Sequence, residues 1–140
     1  MSDSRQILWG RVLLAGFLAE VAVMVVFLLI LGAAWLAGVP EIAVPMTPLD
    51  YVEALVASFL SIYFFTLWVG RRLESGFVLH GALIGLVAML LFLTLIFIAE
   101  GSVEQPVLYW VAHGLKILGG ITGGLVAERR KHRALAAQAV

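Results

Sequence analysis

Apolar positions along this chain fall into four long runs separated by short polar stretches. The first covers residues 12–37 and is broken only by Glu20; the others cover residues 51–69, 77–99 and 106–127. A helix needs about 20 residues, rising about 1.5 Å each, to cross the hydrocarbon of a bilayer. Each run is long enough. The first exceeds the need, which predicts a tilted helix or an end beyond the hydrocarbon.

The connections carry turn chemistry. GVPEIAVPMTPLD (38–50) holds three prolines and cannot be helical throughout. Its end, Thr47-Pro48-Leu49-Asp50, reads as an N-cap, a proline at the first helical position and an acid in the first turn. GRRLESG (70–76) and EGSVEQ (100–105) are short, and short connections make consecutive helices antiparallel. The predicted fold is all-α, a single domain: an antiparallel up-down bundle of four transmembrane helices.

Composition supports that reading. Of 140 residues, 63% are hydrophobic and 13% charged, with a mean hydropathy of +1.08. Soluble domains average about 45–50% apolar and about 25% charged. Zero net charge gives no global field toward nucleic acid, and the absence of cysteine excludes disulfides, cysteine metal sites and thiol nucleophiles.

The charges are sorted by end. Arg5, Arg11, Arg71, Arg72, Arg129, Arg130, Lys131 and Arg133 fall on one side, while Glu41, Asp50, Glu53, Glu100 and Glu104 fall on the other. The positive-inside rule then puts both termini in the cytoplasm. Aromatics agree, with Trp9 and Trp68 at the inner boundary and Trp35, Tyr51, Tyr109 and Trp110 at the outer one. Gly32-Ala33-Ala34 resembles a cleavage site. The apolar run before it, however, far exceeds the 7–15 residues of a signal core, so an uncleaved first helix is expected. The expected location is a bacterial inner membrane. The basic tail ERRKHR (128–133) serves as a topology determinant and can attract anionic headgroups at about 1 kcal/mol per basic residue.

At about 100° per residue the fourth helix sorts into two faces. Tyr109, Ala112, His113, Lys116, Gly120, Gly123, Gly124 and Ala127 share one arc, and bulky aliphatic residues occupy the other. The small face lets another backbone approach closely. Gly119/Gly123 and Gly120/Gly124 are overlapping GxxxG pairs. Helix 3 offers Gly81, Gly85, Ala88 and Ala99; helix 1 offers Ala15, Ala19 and Ala22 beside Gly16 and Glu20; helix 2 offers Ala54, Ser58 and Ser61. These stripes are expected to pack within one chain, with a homo-oligomer or a membrane-complex partner as the other use.

Lys116 is the ninth basic residue and lies within the fourth run. Placing it near a helix centre costs about 2.5–3.5 kcal/mol, so it should face inward and have a partner. Glu20 is the one acid deep within a run. Counted from the basic edge, Glu20 lies at about 14 Å and Lys116 at about 18 Å of helix rise. That difference is about one turn and within side-chain reach. A Glu20–Lys116 ion pair between helices 1 and 4 follows. His113, one turn outward, is placed to hydrogen-bond the pair or titrate beside it. His80, early in helix 3, is expected to reach toward the headgroups.

Ala19-Glu20 is similar to the helix-1 glutamate context of small multidrug-resistance transporters, which are also four-helix proteins. The match covers those two residues. Lys116, the longer first loop and the strong charge bias depart from that pattern, and a lysine beside the glutamate would neutralise a group such a transporter needs free. The chain is therefore not assigned to that family. It carries no metalloprotease, hydrolase, P-loop or dinucleotide motif. No metal, cofactor or nucleic acid is expected, and the bilayer is the expected partner. The expected function is non-enzymatic, a subunit or scaffold of a membrane assembly, with a small proton-coupled transporter or channel using Glu20, His113 and Lys116 as the alternative.

Overall fold

The computed structural model describes residues 7–38, 48–101 and 107–138. Within them lie four α-helices: α1 (Trp9–Leu36), α2 (Pro48–Gly70), α3 (Phe77–Glu100) and α4 (Val107–Gln138). Three stretches are long and apolar enough to cross a membrane: Trp9–Leu36, Phe77–Ala99 and Trp110–Gln138. Ala54–Gly70 of α2 is a shorter apolar stretch. The predicted cap at Thr47, together with Arg5, Glu41 and Glu104, lies outside the described residues, as do the side chains of Asp50, Tyr51, Glu53, Glu100 and Tyr109.

Helix boundaries follow the apolar runs except at one end. Pro48 opens α2, where its missing N–H leaves no helical bond unmade. Gly101, in the left-handed region at φ 69°, closes α3 by giving its N–H to the Phe97 carbonyl at 2.9 Å. Gly76, at φ 68°, turns the chain into α3. α4 instead continues past residue 127 to Gln138. The apolar run ends there but the helix does not, because Glu, Arg, Lys, Ala, Leu and Gln are all strong helix formers.

α4 packs along both α2 and α3, and α1 also lies against α2 and α3. α1 and α4 make no close backbone approach among the described residues, so they stand at opposite corners of the bundle. Phe77 faces Gly124, Gly81 faces Gly120 and Gly85 faces Lys116, so α3 and α4 run antiparallel. Phe59 faces Gly119, Tyr63 faces Gly123 and Gly70 faces Ala127, so α2 and α4 run parallel. Gly16 meets Ile84 and Val87, and the Leu8 amide bonds His80, so α1 and α3 are parallel as well. The chain alternates up and down, yet two of its lateral contacts join parallel helices. Seating α4 between α2 and α3 brings its glycine face against both.

Burial divides the bundle along its length. At the end that bears Arg11, Arg71, Arg72 and Arg129, hereafter the basic end, the core holds Val12, Ala15, Ala19, Ile62, Val69, Leu73, Phe77, Ile84, Ala88 and Ala127. The last buried layer toward the opposite end contains Glu20, Ser58, Ala88, Ala112 and His113. Beyond it the described parts of α1 and α3 have no buried residue; many of their large side chains, among them Phe27, Leu28, Leu29, Leu90, Leu95 and Phe97, are exposed, and the others are half-buried.

Candidate functional site

Glu20 and His113 lie in this last buried layer, and Lys116 is buried one turn nearer the basic end. Lys116 Nζ donates to Glu20 Oε1 at 2.5 Å. Lys116 is 1% exposed and Glu20 8%. The pair joins α1 to α4 across the long diagonal, where the backbones do not meet. A lysine can do this because its four-carbon stem carries the charge away from its own helix. Small neighbours clear the way: Gly85 of α3 lies against the Lys116 backbone, and a Cβ there would stand 2.6 Å from the Lys116 carbonyl oxygen. Phe92 of α3 completes the surroundings, with its ring centroid 4.8 Å from Nζ, within reach of a cation–π attraction. Desolvating two charges is costly, and their mutual attraction offsets it only with close geometry and further contacts of this kind.

His113 sits one turn farther along the inward face of α4 and is 4% exposed. It does not hydrogen-bond the ion pair. Its ring lies 4.4 Å from that of Phe92, centroid to centroid, and 6.2 Å from that of Trp110 at a steep edge angle. Neither ring nitrogen has a hydrogen-bond partner among the described residues. Phe92 is thus the side chain that touches both Lys116 and His113. Nothing in the apolar run around it (LLFLTL) singles it out in the sequence.

His80 differs from expectation. It is 2% exposed rather than turned toward a headgroup layer. Its Nδ1 lies 2.8 Å from the Gly76 carbonyl, and its Nε2 accepts the Leu8 N–H at 3.2 Å. A carbonyl only accepts and an amide only donates, so this geometry requires the neutral ring with its proton on Nδ1. The side chain supplies the start of α1 with an acceptor that the helix lacks. The sequence does carry a signal for this inward position: His80 falls between Phe77 and Ile84 on the arc of α3 that also carries Gly81 and Gly85.

The glycines named from sequence lie at backbone contacts. Gly81 and Gly120 face each other so closely that a Cβ on either would collide with the other's carbonyl. A Cβ at Gly119, Gly123 or Gly124 would stand 2.6 Å from Phe59 O, 2.9 Å from Tyr63 O or 2.6 Å from Phe77 O. Ala99, expected to continue the α3 stripe, is exposed, because the bundle has already opened at its level. Among the described residues, no group of three or more His, Asp or Glu side chains is placed to hold a metal ion.

No protein-family model, no curated protein and no solved structure matches this chain. Its functional reading rests on its own geometry.

Proposed function

We propose that the chain is a multi-pass integral membrane protein of an inner membrane, with the basic end and both termini in the cytoplasm. It acts as a non-enzymatic subunit or scaffold of a membrane assembly. The carrying observation is the Glu20–Lys116 contact, at 2.5 Å and almost wholly withdrawn from the surface. In hydrocarbon each charge alone would be costly, and together they fix which helices stand opposite one another. The glycine and alanine faces supply the close backbone packing that such a bundle uses when lipid is as apolar as leucine. The space just beyond the pair favours architecture over conduction. It is a cavity of about 330 Å³ between α1 and α2, lined by Ala22, Val23, Val26, Val56, Ala57, Leu60 and Ser61. Six of those seven are aliphatic, so the cavity suits lipid tails better than water.

A second reading, a small proton-coupled transporter or channel using Glu20, His113 and Lys116, draws on His113. That ring is buried one turn from Lys116, and neither nitrogen has a partner among the described residues.

Two experiments test the proposal. The chain has no cysteine, so single substitutions Ala37→Cys, Ser75→Cys and Ala136→Cys can be labelled from either side of sealed vesicles. Positions 75 and 136 should label together and position 37 from the opposite side; labelling of all three from one side would refute a spanning bundle. Protein reconstituted into liposomes with a pH-sensitive dye should show no proton flux above the lipid background. A flux that Glu20→Gln abolishes would replace the scaffold reading with the transporter.

A further inference from the structure

Where α2 ends and α4 runs on past it, the two helices enclose a second cavity. Its volume is about 260 Å³, and it is lined by Leu67, Gly70, Arg71, Ala127, Arg130 and Lys131. The floor is a contact between two small residues, since a Cβ on Gly70 would stand 2.5 Å from that of Ala127. The walls carry three cations, and among the described residues no acid lines the cavity.

Four carbonyls of the turn beside it are already engaged. Val69 O accepts the Arg72 N–H at 2.9 Å, and Gly70 O the Leu73 N–H at 3.2 Å. Arg72 O accepts from the Arg11 guanidinium at 3.4 Å, and Leu73 O from Lys131 Nζ at 2.6 Å. The bond from Lys131 fixes that ammonium at the rim while leaving it further N–H donors. Arg71 and Arg130 are both exposed, and neither has an ion-pair partner among the described residues. Two unpaired guanidinium groups around a concave space suit a phosphate, which accepts paired N–H donors from each. The mouth is not uniformly polar. Leu67 forms one wall, and Phe64 and Trp68 on the adjoining surface of α2 are exposed.

We propose that this cavity binds the phosphate of an anionic phospholipid, with Arg71, Arg130 and Lys131 on the headgroup and an acyl chain descending α2 past Leu67. The assignment rests on the membrane reading and goes beyond it. The general attraction of a basic tail for an anionic surface needs no particular arginines, whereas this site needs two.

The test is a titration of the purified full chain, in a neutral detergent, with phosphatidylglycerol, phosphatidylcholine or inorganic phosphate, read as the shift in thermal unfolding. Phosphatidylglycerol should raise the transition and phosphatidylcholine should not. The double variant Arg71→Gln/Arg130→Gln should weaken the apparent affinity on the order of thirtyfold. Arg129→Gln/Arg133→Gln removes the same charge from the same tail outside the cavity and should leave most of the affinity. Arg71→Lys/Arg130→Lys, which keeps the charge, should retain part of it. Equal losses in the two glutamine pairs would reduce the effect to diffuse attraction and overturn the site. Equal shifts with the two lipids, or the same shift with inorganic phosphate, would overturn the lipid assignment. Sided cysteine labelling separates the two levels: if it supports a spanning bundle while the two glutamine pairs behave alike, the site fails and the membrane reading stands.

Discussion

Gly81 and Gly120 bring two backbones into direct contact, whereas farther along the same two helices Leu90, Leu95, Leu108 and Val111 stand exposed. The basic half of the bundle and the opposite half are built from the same continuous helices, yet among the described residues the buried apolar core lies in the first. Apolar content alone does not bring helices together when the surroundings are equally apolar. Small residues do, because they allow extensive backbone contact and dispersion over short distances. The ion pair lies at the boundary between the two regimes. It ties the corners that the backbones do not reach, and beyond it the described parts of α1 and α3 hold no buried residue. The opposite half should therefore open locally at lower cost than the basic half.

The close-packed half is most sensitive at its glycines. Gly120→Leu pushes a side chain into the Gly81 backbone, which cannot step aside as a flexible side chain would. A loss of about 3 kcal/mol or more, or failure to fold, is expected in thermal unfolding in detergent. A stable, wild-type-like variant would mean that the helices do not meet there. His80→Leu removes the acceptor of the Leu8 amide while keeping the bulk, and should cost about 1–3 kcal/mol. Amide exchange at Leu8 should quicken with it; unchanged exchange would show that His80 does not hold the start of α1. Gly114 faces open space, since no atom outside its own helix lies within 4 Å of a Cβ built there. Gly114→Ala should thus stabilise by about 0.5–1 kcal/mol through helix propensity. A clear destabilisation would place an unrecognised contact on that face. The smallest effect belongs to the opposite half, where Leu95→Ala on exposed surface should stay within about 0.5 kcal/mol. A core-sized loss would mean that this half is packed after all.

Much of this organisation is legible in the sequence because membrane-scale helices announce themselves by length. The apolar runs locate α1 to α4, and the depths of Glu20 and Lys116, measured along their helices, pair them correctly. Depth says nothing about lateral order, so the placement of α1 and α4 at opposite corners cannot be read from it. A long lysine stem hides that distinction. The extension of α4 escapes hydropathy, which marks where an apolar run ends, whereas helix propensity decides where the helix ends. His80 misleads because a histidine near a helix start looks like an interfacial group, although its arc, shared with Phe77, Gly81, Ile84 and Gly85, points inward. Phe92 leaves no signal, as one aromatic in an aliphatic run is indistinguishable from its neighbours.

Glu20 and Lys116 act as one unit holding the diagonal of the bundle. A double-mutant cycle measures it directly: Glu20→Gln, Lys116→Met and the two together, each followed by thermal unfolding in detergent. Each single change should cost about 3–5 kcal/mol by leaving the other charge buried and unmatched, and the double variant should recover most of that loss. Single effects that simply add in the double variant would show that the two groups are not energetically coupled, and that something other than this pair holds α1 opposite α4.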